Sequence, residues 1–200
     1  MMVNMPKVLV WFAVSVFILG LLIIISIGWP SGKGAPWRPT PRKKVQKMLA
    51  MADIKPGEVI YDLGCGDGRI VIMAARRYNI KAVGIEIDFL RYIWCKIIIA
   101  LLGLRKKVRV IYGDLFDQNL SEADVVICYL TQSTNNRLEQ KLIEELKPGA
   151  RIVSNTFYFH ELPMVTKDNL YSIYVYHTWK ERKENPENQE ALINEEGGKK

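Results

Sequence analysis

Three glycines at alternate positions, Gly64, Gly66 and Gly68, lie among two carboxylates, Asp62 and Asp67, and follow the apolar run Val59-Ile60-Tyr61. Glycine lets the backbone take positive φ and lets a ligand lie against bare main chain. The dinucleotide fingerprint G-x-G-x-x-G is looser by one residue, and carboxylates here would repel a pyrophosphate. They attract a cationic or amine-bearing ligand instead. S-Adenosylmethionine, which carries an ammonium and a sulfonium, meets that description. Asp62 has a second possible role, stiffening the turn by bonding backbone amides.

Further acids recur at matching places downstream. Glu86 closes the short apolar run Ala82-Val83-Gly84-Ile85, 24 residues after Asp62. A carboxylate there can accept both hydroxyls of a ribose, although NAD proteins share that arrangement and an ordinary surface acid would look the same. Asp114, after the run 108–112, could accept the adenine amino group or merely cap a loop. Tyr129 follows the run 123–128. Phe157, Tyr158 and Phe159 could form an aromatic slot for an amine or belong to the core. His160 could serve as a base, but a lone histidine after a strand is more often structural.

The elements that position these residues alternate. Strands are predicted over 59–63, 82–86, 108–112, 123–128 and 150–155, with a late antiparallel strand in 170–179. Helices are predicted over 41–52, opened by Thr40 with Pro41 at its first position, from 68 to about 78 with Asp67 as N-cap, and over 89–102 and 135–146. This order implies right-handed crossovers and a mostly parallel, Rossmann-like α/β sheet with helices on both faces. Ligands of such sheets bind beyond the carboxyl ends of the strands. Asp62, Glu86, Asp114 and Tyr129 all fall there and so belong to one site. The helix 89–102 carries Trp94 and Ile97-Ile98-Ile99 and is too apolar for free exposure; it is either fully packed or rests on a membrane.

The chain has 200 residues, of which 49% are hydrophobic, and a net charge of +7. Residues 8–30 hold no charge, and twenty such residues in a helix rise about 30 Å, enough to cross a bilayer. A cleavable signal peptide or a buried helix are the competing readings. The organisation expected is a flank at 1–7, a transmembrane helix at 8–28, a basic proline-rich linker at 29–40, a catalytic domain at 41–180 and a polar, disordered tail at 181–200. Lys33, Arg38, Arg42, Lys43, Lys44 and Lys47 follow the apolar segment, and only Lys7 precedes it. The positive-inside tendency therefore predicts a single-pass membrane protein with a cytoplasmic domain. Cys65, Cys95 and Cys128 are odd in number and show no metal-ligand spacing, so reduced thiols and no metal are expected. The basic stretch suits anionic lipid better than nucleic acid, for which no binding signature is present.

Tyr61-Asp62-Leu63-Gly64-Cys65-Gly66-Asp67-Gly68-Arg69-Ile70 resembles the first motif of class I S-adenosylmethionine-dependent methyltransferases. With Pro36-Trp37-Arg38-Pro39-Thr40-Pro41 upstream, the chain is similar to the archaeal broad-specificity protein lysine methyltransferases and the ATP synthase c-subunit lysine methyltransferases. Gly113-Asp114-Leu115-Phe116 and Glu145-Leu146-Lys147-Pro148-Gly149 extend the likeness. The resemblance implies that Thr40, Asp62, Gly64 and Gly66 hold the methionine end of the cofactor, with Glu86 on the ribose and Asp114 near the adenine. It puts Tyr129-Leu130-Thr131-Gln132 beside the transferred methyl group, with Tyr129 and Thr131 positioning the acceptor. That loop departs from the Asn/Asp-Pro-Pro-Tyr motif of amide and adenine methyltransferases. The activity implied is protein-lysine N-methylation, on a substrate that could itself be a membrane protein. Methylation of a lipid or apolar small molecule, or an inactive cofactor-binding scaffold, are the alternatives.

Overall fold

The computed structural model describes residues 7–28 and 37–178. The expected tail at 181–200 and most of the linker at 29–40 lie outside them. The order of elements is α1 (Lys7–Gly28), α2 (Arg42–Met51), β1 (Val59–Leu63), α3 (Arg69–Tyr78), β2 (Lys81–Glu86), α4 (Phe89–Leu101), β3 (Val108–Tyr112), β4 (Val125–Cys128), α5 (Gln132–Glu145), β5 (Arg151–Asn155), β6 (Met164–Asp168) and β7 (Ile173–His177).

The seven strands form one sheet in the order β3-β2-β1-β4-β5-β7-β6. β1 to β5 are parallel, and β7 alone runs against its neighbours, pairing antiparallel with β5 and with β6. The inner strands β1, β2, β4 and β5 are short, apolar and buried on both faces, as parallel strands under crossover helices must be. On one face Ile60, Ala82, Val108 and Val125 pack beneath α2, α3 and α4 through Met48, Val71, Ala74 and Ile99. On the other, Tyr61, Leu63, Val126 and Ile152 pack beneath Leu138 and Leu142 of α5. The alternation of Ile60 and Tyr61 between the two cores is the two-residue period of the strand. β1 lies between β2 and β4, so the chain reverses its direction of travel across the sheet at β1, where a crevice opens.

Several predicted boundaries shift for local reasons. Asp67 is not the N-cap of α3: Gly68 takes that place with φ 78°, and the Asp67 carboxylate accepts from the Arg69 backbone N–H at 3.2 Å and from its guanidinium. Thr40 does not cap α2, which begins at Arg42 after Pro41 without a side-chain cap. α5 starts three residues earlier than its apolar pattern suggests because Thr131 caps it, accepting from the Thr134 N–H. The edge strand β6 is exposed along most of its length and irregular in register between Met164 and Thr166, so it carries no burial pattern to read. α1 is a 22-residue helix with Val8, Trp11, Phe12 and Phe17 well exposed. Its side chains are described only for residues 7–18, 20 and 21. Among the described residues no helix is long and apolar enough to cross a membrane. The structure therefore does not reproduce the membrane-spanning segment expected over 8–28.

Candidate active site

A cleft opens beyond the carboxyl ends of β1, β2, β3 and β4, walled on its outer side by the segment Trp37–Thr40. It brings together Thr40, Asp62, Gly64, Gly66, Glu86, Asp114 and Tyr129, seven of the eight predicted site residues. Thr131 is not among the lining residues. Its hydroxyl faces Ser133 and Thr134 within the first turn of α5, which makes it a helix cap.

The glycine turn is held from below. Glu86 Oε2 accepts the Gly66 backbone N–H at 2.7 Å, and Oε1 accepts the Asp88 N–H at 2.8 Å. The carboxylate is thereby fixed at the strand end, and each oxygen keeps lone-pair capacity for a further donor. Burial raises the Glu86 pKa, while those two amides and the Arg91 guanidinium, 3.9 Å away, oppose the rise. From above, Trp37 leans on the turn. A Cβ on Gly66, whose φ is +57°, would lie 2.8 Å from the indole Nε1. Only glycine fits between the indole and the ligand cradle at this point.

Asp62 is the electrostatic centre. Its side chain is buried, and Oδ2 has no hydrogen-bond partner within the described chain. Burial first, then the Glu86 and Asp67 carboxylates, pushes the Asp62 pKa up to about 8. A buried acceptor left without a donor is costly, and a ligand ammonium would supply one. Asp67, by contrast, has an ion-pair partner. It pairs with Arg69, whose Nη1 also donates to the Thr40 carbonyl at 2.7 Å. Arg69 thus ties the glycine turn to the N-terminal wall. Asp114 lines the cleft just beyond β3, and it also caps the 3₁₀ turn Leu115–Asp117 through the Phe116 N–H. Both of its candidate roles are compatible with that geometry. The cradle, the orphaned carboxylate of Asp62 and the further acids Glu86 and Asp114 at the ends of β2 and β3 fit S-adenosylmethionine.

Sequence reasoning missed two wall residues. Trp37 gave no motif of its own beyond its proline neighbours. Arg91 stacks its guanidinium 5.4 Å from the Trp37 ring and lies between Glu86 and Asp88. Its position three residues after the N-cap Asp88 is the signal that could have found it. The aromatic trio divides. Phe159 is a core residue packed edge-on against Tyr176 at 5.4 Å, whereas Tyr158 is exposed and stands against His160 at 4.7 Å. Gln132 clamps Tyr158 by bonding both its N–H and its carbonyl. None of these aromatics, nor His160, lines the cleft.

A mostly parallel sheet of this order with an acid-lined glycine cradle at its reversal point defines a Rossmann-like methyltransferase that uses S-adenosylmethionine. The chain belongs to the family described by the ANTKMT methyltransferase domain, which matches residues 62–166. It is 43% identical over 123 residues to a protein-lysine N-methyltransferase of Saccharolobus islandicus, covering 61% of this chain and 76% of that protein. It is 29% identical over 149 residues to the human lysine N-methyltransferase of the ATP synthase c-subunit, a match that covers 70% of this chain and 60% of that one. Among solved structures, an RNA methyltransferase from Salinibacter ruber in complex with S-adenosyl-L-homocysteine is 38% identical with a TM-score of 0.68. That match covers 74% of this chain and 98% of the other.

Proposed function

We propose that this chain methylates lysine side chains of proteins, and that it does so at a membrane to which the segment 8–28 attaches it. The observation that carries the acceptor is the 43% identity to a protein-lysine N-methyltransferase, whose length the match largely spans. The loop Tyr129-Leu130-Thr131-Gln132, which lacks Asn-Pro-Pro-Tyr, is consistent with an amine acceptor rather than an amide.

S-Adenosylmethionine, when bound, supplies an electrophilic methyl group on a good leaving group. The chain's own work is to bind, orient and exclude water. Asp62 holds the amino group, Glu86 the ribose and Asp114 the adenine edge. Thr40 and the glycine turn close the methionine end. A lysine must lose its proton before it can attack, and a partly apolar slot favours the neutral amine. Tyr129 and Leu130 give that end of the cleft its apolar wall, with the Tyr129 ring able to receive the approaching ammonium.

Membrane attachment rests on the uncharged run 8–30 and the basic residues that follow it. An apolar helix exposed on all sides needs lipid or a partner to cover it. Tethering would raise the effective concentration of enzyme near membrane-bound substrates.

The test is incubation of the full chain with methyl-labelled S-adenosylmethionine, membranes and total RNA. Methyllysine in an acid hydrolysate of a protein band is the expected result. Label in RNA would favour the reading suggested by the Salinibacter ruber relative, label in the organic phase would favour a lipid acceptor, and either would replace the present proposal. Cofactor binding with no transfer to any fraction would leave only a scaffold.

A further inference from the structure

The exposed face of α4 is the strongest unexplained feature outside the cleft. Cys95 and Ile99 point to the core, while Leu90, Ile93, Trp94, Ile97 and Leu101 are 37–77% exposed. Their spacing of three and four residues puts them in one stripe along the helix. Monomeric proteins rarely leave so many large apolar side chains together in water. The stripe has a charged rim of one sign. Lys96 lies beside it, and Arg105, Lys106, Lys107 and Arg109 follow the helix, all exposed. From residue 89 to residue 110 there is no acid. Where the rim continues round the edge of the sheet, Lys81 and Lys147 join it, with Glu122 the one acid among the residues lining that groove.

An apolar stripe with a rim in which basic residues far outnumber the single acid is the pattern of a helix lying in the plane of an anionic bilayer surface. A nucleic acid would meet the basic rim but not the aliphatic stripe, and a soluble acidic protein likewise. We infer that α4 is a membrane-docking face, seated on anionic lipid through Leu90, Ile93, Trp94, Ile97 and Leu101. This contact is separate from α1 and does not need α1 to span. It deepens the proposed function and rests on it in one respect: α4 opens at Asp88, two residues from the cleft carboxylate Glu86. A bilayer lying along α4 therefore runs past the cleft, and the lysines within reach are those that membrane proteins present at the headgroup level.

The test places an environment-sensitive fluorophore on Ile97→Cys or Leu101→Cys of the full chain, with Glu144→Cys on the opposite face of the sheet as control. The native thiols Cys65, Cys95 and Cys128 are buried, which confines labelling to the new site. Each labelled chain is first shown to bind S-adenosylmethionine. With vesicles of phosphatidylcholine and phosphatidylglycerol, labels at 97 and 101 should shift to the blue, lose quenching by aqueous iodide and gain quenching by nitroxide lipid; the label at 144 should do none of these. Iodide access at 97 equal to that at 144 on vesicle-bound chain overturns the docking face while leaving the anchor standing. A chain that does not float with vesicles at all sinks both. Protection at 97 that is unchanged without phosphatidylglycerol, or that arises in detergent and grows with protein concentration, overturns it in favour of an uncharged surface or a second copy of the chain. Methyl transfer to lysine, measured separately, tests the catalytic reading alone.

Discussion

At the scale of single residues, Asp62 decides both what the cleft binds and what the cleft costs the fold. Its carboxyl titrates near 8 in the folded chain and near 3.8 when unfolded. Between those values the folded chain binds more protons, so this group lowers stability progressively as pH rises from about 4 to about 8. Asp62→Asn should therefore stabilise the ligand-free protein at pH 8, by roughly 1–3 kcal/mol if the cost is that of an unsatisfied buried group, and change little at pH 4. Thermal melts at the two pH values read this directly, and a destabilised variant at pH 8 would refute it. Cofactor binding should run the other way. An ammonium selects the ionised carboxylate, so affinity should climb about tenfold per pH unit below pH 8 and fall again once the ligand's α-amino group, with its ordinary pKa of about 8, is lost. The Asn variant should lose most of its affinity and the acid limb of this profile, as calorimetry across pH would record. The site is built against its own stability, as functional sites tend to be.

At the scale of elements, two contacts separate positioning from folding. Arg69 reaches both Asp67 and the Thr40 carbonyl, a forked geometry that a lysine ammonium cannot copy. Arg69→Lys should weaken cofactor binding about tenfold, or about 1.4 kcal/mol, by freeing the N-terminal wall, with melting little changed. Equal affinity in the variant would mean that the wall is held otherwise. Thr131→Ala should do the reverse, lowering stability by about 1 kcal/mol through the lost cap of α5 while cofactor affinity stays intact. A large fall in turnover at unchanged stability would restore Thr131 to the reacting centre. These contacts also mark what was legible in the chain. The inner parallel strands are legible because burial on both faces leaves continuous apolar runs. At or just beyond the ends of β1 to β4 stand Asp62, Glu86, Asp114 and Tyr129, which line the cleft, whereas β5 ends in Asn155 and contributes nothing to it. Thr131 is ambiguous in the sequence because a capping threonine and an acceptor-positioning one look alike in a loop after a strand, and the structure shows the cap. β6 is silent because an exposed edge strand has no burial to encode. Trp37 is silent because its partners, Gly66 and Arg91, come from distant segments of the chain, whereas Arg91 carries a local signal in its spacing from Asp88.

At the scale of the whole molecule, the proposed membrane attachment has two candidate carriers, α1 and the basic, apolar flank of the domain. The two respond differently to conditions. A docked face that depends on lysine and arginine near anionic headgroups is screened within about a Debye length, some 3 Å at 1 M salt, and releases when charge is masked. A helix spanning hydrocarbon is indifferent to salt and to alkali, because its twenty or so apolar side chains would have to be returned to water. The full chain expressed in cells should therefore remain in the membrane pellet after washing with 1 M salt and with alkaline carbonate, and the protease-exposed domain should face the cytoplasm in sealed inverted vesicles. Release by salt alone would remove the spanning reading of residues 8–28 and leave the domain as a peripheral enzyme held by charge. Retention through carbonate with digestion of the domain from outside intact cells would keep the anchor and reverse its orientation, placing the lysine substrates on the other side of the bilayer.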